Sequence, residues 1–181
     1  MARATAMRAE TGLWRRLDAA SRRCFPAGML VFGLFVIGLP LSLPGLAEVR
    51  PVYAIACVFF WTLYRPSALP AVVVALTGLL LDLVGLSPIG LWAVLLLVLQ
   101  GSVLALRRRL VPQNFVLTWA MFTGLAALFV LAAWAVESAL TLNVLPVAPV
   151  VAEIILAGAI YPALAGVFIR AHRGPAAVEL A

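Results

Sequence analysis

The side chains best suited to chemistry in this chain are five charged residues that interrupt apolar sequence. They are Glu48, Arg50, Asp82, Glu137 and Glu153. A charge inside a long apolar stretch is costly unless it faces protein or water, so each of these residues requires an explanation. Asp82 is the clearest of them, because it lies in leucine-rich sequence just before a Gly-Leu-Ser-Pro turn. It either carries function or lies at the end of its helix and caps the helix that follows.

The residue types needed for nucleophilic or metal chemistry are not grouped in this sequence. Thr62 and Ser102 have no neighbouring base, and no glycine-rich loop of the kind that binds phosphate is found. Cys24 and Cys57 form neither a CxxC motif nor a Cys/His cluster, and His172 lies between arginines near the C-terminus. We therefore expect no enzymatic activity, no cofactor and no metal.

The amino-acid composition is typical of an integral membrane protein. Of the 181 residues, 65% are hydrophobic and 11% are charged, whereas soluble domains are about half apolar and a quarter charged. The net charge is +6, and all the basic residues are arginine. Because these arginines flank apolar blocks, positive-inside topology and contact with anionic membrane lipids explain them, and we expect no nucleic-acid partner.

Six apolar blocks predict an all-α fold, a polytopic membrane protein with six transmembrane helices. Their approximate bounds are 25–46, 51–64, 67–86, 88–106, 115–140 and 144–169. The second block gives a helix of roughly 21 Å, short of the roughly 30 Å hydrocarbon core, so it either crosses as a short helix or is re-entrant. Six crossings leave only Arg50 of the 13 basic residues on the outer side, and this charge bias favours a crossing.

The domain organisation that follows is a single membrane domain, residues 25–170. A basic cytoplasmic arm, residues 1–24, precedes it, and a short cytoplasmic tail, residues 171–181, follows it. The arm is either an amphipathic surface helix or a solvated tail, and a signal peptide cleaved after Ala47 is the alternative for the first 47 residues. Small residues in the last two blocks predict close helix packing, and tryptophans near the block ends predict interfacial anchors.

This topology gathers the five charges in the outer half of the bundle, with Glu153 roughly 10 Å below the outer end of its helix. In one interpretation, Arg50 neutralises Asp82 or Glu153, and the cluster is a structural ion pair that links helices. In the other, the cluster lines an outward-facing cavity or binds a polar group of a partner. The candidate structural or partner-binding residues are Arg50, Asp82, Glu137 and Glu153.

Residues 50–110 resemble the MreD family of rod-shape membrane proteins. The resemblance rests on Arg50-Pro51, on FWTLYRP at 60–66, on GLLLDLV at 78–84, on SPIGLWA at 87–93 and on the arginine triplet 107–109. It implies a non-enzymatic scaffold in the bacterial inner membrane, with both termini cytoplasmic, that binds MreC and helps to organise peptidoglycan synthesis. MreB, the RodA glycosyltransferase and a class B penicillin-binding transpeptidase are the implied indirect partners.

The six-helix fold of the MreD family is also similar to the substrate-binding membrane subunits of energy-coupling-factor vitamin transporters. That similarity provides the alternative function for this chain, a subunit that binds a small substrate for uptake.

Overall fold

The computed structural model describes residues 27–36, 46–110 and 114–173, and within these ranges the chain forms helices and turns without a strand. The helices are α1 (Ala27–Val36), α2 (Leu46–Tyr64), a 3-10 turn (Pro66–Ala68), α3 (Ala71–Gly85), α4 (Leu91–Leu110), α5 (Phe115–Thr141) and α6 (Ala148–Arg173). The all-α expectation is confirmed for this part of the chain. The arm at 1–24, the end of the first block and the last eight residues lie outside the described ranges.

Two helices are long and apolar enough to cross a membrane, judged by length and composition alone. They are α4 and α5. Three further apolar helical segments are shorter: α1, α3 and the Ala148–Ala163 part of α6. The six expected crossings therefore remain a prediction. Only α4 and α5, among the described helices, are long and apolar enough to cross by this criterion.

Helix α2 is longer than the sequence pattern predicted, and it occupies the centre of the bundle. It begins at Leu46 and continues through Pro51 for 19 residues, which corresponds to roughly 28 Å. Almost every side chain from Val52 to Leu63 is buried, as expected of a helix that is apolar on all sides and is surrounded by others. Its most extensive contacts are with α4 and α6. The helix is continuous from Leu46 to Tyr64, and whether it crosses the membrane stays a prediction.

Helices α3 and α4 form the most extensively packed pair. Helix α3 ends at Leu86, which adopts the left-handed conformation with φ 55° and donates its backbone N–H to the carbonyl of Asp82. Gly78 lies so close to the backbone of Ala93 that a Cβ atom at this position would overlap it. The two helices are therefore in direct backbone contact, which brings the start of α4 next to the end of α3.

The alternating helix directions give the bundle two chemically different ends. At one end, the first turns of α2, α4 and α6 meet the last turns of α3 and α5, and three glutamates lie among them. We call this the carboxylate end. Arg65 and the triplet Arg107–Arg109 lie at the opposite end, where Nε of Arg107 donates a 2.7 Å hydrogen bond to the carbonyl of Leu63.

The outer surface of the bundle is apolar, as is its interior. Val72 and Leu76 of α3 are 69% and 61% exposed, and Ile155 of α6 is 66% exposed. The outward faces of α4 and α5 carry further exposed valines and leucines. Soluble monomers rarely expose apolar surface this extensive, so it indicates contact with lipid or with other proteins.

Candidate functional site

Asp82 is completely buried, and its carboxylate connects the end of α3 with the start of α4. Oδ1 accepts hydrogen bonds of 3.0 Å from the Ser87 hydroxyl and 3.0 Å from the Trp92 backbone N–H. Oδ2 accepts a 2.8 Å hydrogen bond from the backbone N–H of Gly90. Backbone N–H groups at a helix start have no partner within their own helix, and a carboxylate there also interacts favourably with the helix dipole. Asp82 therefore caps α4, which is one of the two roles that its sequence context predicted.

Arg50 lies beside the same turn, on the first turns of α2. Its Nη1 is 3.4 Å from the backbone carbonyl of Val84, to which it donates. Val84 is two residues beyond Asp82, so Arg50 contacts the same end of α3 to which Asp82 belongs. The predicted pairing of Arg50 with Asp82 stays a prediction, because the described bonds of the carboxylate come from its own turn and from α4.

A cavity of about 310 Å³ opens at the carboxylate end. Each of the helices from α2 to α6 contributes to its wall, as does the α5–α6 turn. The polar and aromatic lining residues are Glu48, Arg50, Ser87, Trp92, Trp134, Glu137 and Glu153. Because the wall comes from five helices, the cavity depends on the tertiary arrangement of the whole bundle.

The charges in this cavity are unbalanced. Glu48, Glu137 and Glu153 contribute three carboxylates, and Arg50 contributes the one guanidinium among the lining residues. The carboxylates of Glu48 and Glu137 both repel that of Glu153. Oε2 of Glu48 is buried, and no residue that the structure describes donates a hydrogen bond to it. The formal charge of the ionised lining is therefore negative.

Two tryptophans form the aromatic part of the wall. Trp92 is in the first turn of α4 and is 7% exposed. Trp134 on α5 is half-buried, and its indole N–H donates a 3.2 Å hydrogen bond to the carbonyl of Leu145 in the α5–α6 turn. This bond holds the indole ring of Trp134 against the wall of the cavity.

The structure brings together three of the four sequence candidates. Arg50, Glu137 and Glu153 line the cavity, whereas Asp82 lies behind its wall, beneath the turn. Glu48 was recognised as a charge near the outer face but was not among the candidates, although it lines the same cavity.

The tryptophans depart from the expectation of interfacial anchors. Trp92 and Trp134 line the cavity, and Trp61 is 2% exposed in the central helix. Their spacing from the block ends does resemble that of membrane anchors, but the inward or outward direction of each ring depends on helix rotation. No signal in the sequence supplied that rotation.

Among the described residues, no group of three His, Cys, Asp or Glu side chains is arranged to hold a metal ion.

Comparisons with known proteins identified no relative of this chain. No family model, no curated protein and no solved structure matches the chain.

Proposed function

We propose that the chain is an integral protein of the bacterial inner membrane with six crossings and two cytoplasmic termini. The exposed apolar side chains of α3 and α6 support this proposal, since they give these shorter helices the same lipid-compatible surface as α4 and α5. The location of Arg65 and Arg107–Arg109 at the end opposite the carboxylates supports the orientation, because arginine is enriched in cytoplasmic loops.

Within that membrane, we propose a non-enzymatic scaffold subunit of the cell-elongation complex that binds MreC. The sequence resemblance of residues 50–110 to the MreD family carries the proposal, and the packing of its 78–93 part is compatible with it. Gly78 permits the close approach of α3 and α4, and Asp82 holds Ser87, Gly90 and Trp92.

Binding of a small substrate is the second candidate function. The cavity favours it, because 310 Å³ lies at the lower end of the size range of small-molecule sites, roughly 300–1,000 Å³. In this proposal the chain is the substrate-binding membrane subunit of a vitamin transporter of the energy-coupling-factor kind.

Depletion of the protein in its rod-shaped host distinguishes the two functions. We expect rounded cells with mislocalised wall synthesis and unchanged vitamin uptake, together with co-purification of MreC from solubilised membranes. Rod-shaped cells that lose uptake of one vitamin, with an ATPase module as the co-purified partner, would reject the scaffold and support the transporter subunit. Re-expression of the wild-type chain provides the control.

A further inference from the structure

We propose that the cavity at the carboxylate end binds an organic cation, through an ammonium or guanidinium group held among Glu48, Glu137 and Glu153. The proposal concerns the chemistry of the cavity and applies whichever of the two functions is correct.

The charge of the lining is the first argument. Arg50 can neutralise one of the three carboxylates, so the other two remain to be balanced. Glu153 is repelled by both of its neighbours, and a wall of low dielectric strengthens such repulsion. A cation placed between these groups converts the repulsion into attraction, and a cavity of one sign also raises the local concentration of its counter-ion.

The unpartnered oxygen of Glu48 is the second, independent argument. Oε2 of Glu48 is buried and accepts no hydrogen bond from the described residues, although a buried acceptor without a donor is costly. Glu48 belongs to the lining of the cavity. Rotation of the Glu48 carboxylate would turn this oxygen toward the cavity, where the N–H groups of an ammonium or guanidinium ligand would satisfy it.

The aromatic wall favours an organic cation over a metal ion. The rings of Trp92 and Trp134 border the same space as the glutamates, and tryptophan is the best aromatic partner for a cationic group. No described set of three acidic, His or Cys side chains converges to hold a metal. The volume of 310 Å³ accommodates a compact amine with an apolar body.

Equilibrium dialysis of the purified full chain in detergent, with radiolabelled agmatine as the probe, tests the proposal. We expect saturable binding near one agmatine per chain, competition by ethanolamine, and no competition by glycerol or succinate. Glu153→Gln and Glu137→Gln should each weaken binding about tenfold or more, since each removes a charge-assisted contact. Gel filtration and thermal unfolding of each variant check that it is folded.

A matched pair of tryptophan variants serves as the control. Trp134→Leu and Trp119→Leu each remove an indole that donates to a backbone carbonyl, of Leu145 and Gly158 respectively, but only Trp134 lines the cavity. Binding should weaken in Trp134→Leu and stay unchanged in Trp119→Leu. This comparison stays decisive if a glutamate variant does not fold.

Three outcomes would overturn the proposal: no saturable binding to the wild-type chain, unchanged binding in folded Glu153→Gln and Glu137→Gln, or displacement by MgCl₂ as effective as by ethanolamine at equal ionic strength. N-acetylarginine methylamide then separates the two sources of the cation. Tighter binding than agmatine indicates an arginine side chain of a partner protein, and weaker binding indicates a free amine.

Discussion

At the scale of single residues, Asp82 explains how a carboxylate is accommodated in apolar sequence. Its two oxygens accept three hydrogen bonds, two of them from backbone N–H groups at the start of α4. A buried charge is tolerated when it is hydrogen-bonded in this way, and the loss of the charged partner leaves the donors unsatisfied. These bonds give Asp82 a place in the α3–α4 packing, and the proposed cation binding concerns the glutamates of the cavity.

We expect Asp82→Ala to lower the free energy of unfolding by about 4 kcal/mol, because it removes hydrogen bonds to a charged acceptor. Asp82→Asn should cost about half as much, since its amide oxygen can replace Oδ1 while its NH₂ group faces the N–H of Gly90. Thermal unfolding in detergent measures both variants. Glu137→Ala, which removes a carboxylate near like charges, is the control and should change stability little. Wild-type stability of Asp82→Ala would disprove the capping role.

At the scale of the helices, direct backbone contact determines how α3 and α4 fit together. Gly78 faces the backbone N and Cα of Ala93, and these atoms cannot move aside as a flexible side chain can. The same contact places Gly90 and Trp92 within reach of Asp82. The glycine and the aspartate, four residues apart on α3, therefore belong to one packing arrangement.

Gly78→Ala should destabilise the protein by about 3 kcal/mol or more, because the added methyl group forces the two helices apart. Gly124→Ala on α5 is the matched control, since a Cβ atom there meets nothing within 4 Å. We expect the control to stay within about 1 kcal/mol of wild type, with alanine's higher helix propensity in its favour. Equal unfolding temperatures for the two variants would contradict the close contact of α3 and α4.

A second prediction for the helices concerns the opposite end of the bundle. Arg107 donates from α4 to the carbonyl of Leu63 at the end of α2, where helix carbonyls lack partners in their own helix. Arg107→Ala should cost about 2 kcal/mol, as expected for loss of a hydrogen bond from a charged donor. The exposed neighbour Arg108 provides the comparison, and Arg108→Ala should leave the unfolding temperature nearly unchanged. A larger loss in Arg108→Ala than in Arg107→Ala would argue against this contact.

At the scale of the whole molecule, the central position of α2 organises the bundle. Helices α3 to α6 all contact α2, and Leu30 and Leu34 bring α1 into the same core. The side chains outside this core are largely apolar. In a bilayer, α2 would be shielded from lipid by its neighbours, so its polar groups Arg50 and Thr62 face protein or the cavity.

The proposed topology has a direct test in reporter fusions placed after residues 66, 111 and 181. We expect all three positions to report the cytoplasm, because six crossings place the arginine-rich ends there. A fusion after residue 87, in the turn at the carboxylate end, is the control and should report the opposite side. A periplasmic signal at residue 111 would reject six crossings with a cytoplasmic N-terminus.

The sequence by itself determined the helical class and the approximate extent of most helices. Apolar length and flanking turn residues are local signals, so the fifth block, predicted at 115–140, is observed as Phe115–Thr141. Local signals were weaker at α2, where Glu48 and Arg50 interrupt the hydrophobicity and the start was predicted five residues late. The grouping of charges at one end also followed from sequence, because helices that alternate in direction bring every second chain reversal to the same side.

Only the tertiary structure decided which way each side chain faces. Helix rotation turns Trp61 into the core and Trp92 and Trp134 toward the cavity, although all three looked like interfacial anchors. It also separates two kinds of carboxylate that look alike in sequence. Asp82 accepts hydrogen bonds from backbone N–H groups of the α3–α4 turn and the start of α4. Glu48, Glu137 and Glu153 come from three helices and line the same cavity. Packing between helices that are distant in the chain makes that distinction, and spacing along the chain does not encode it.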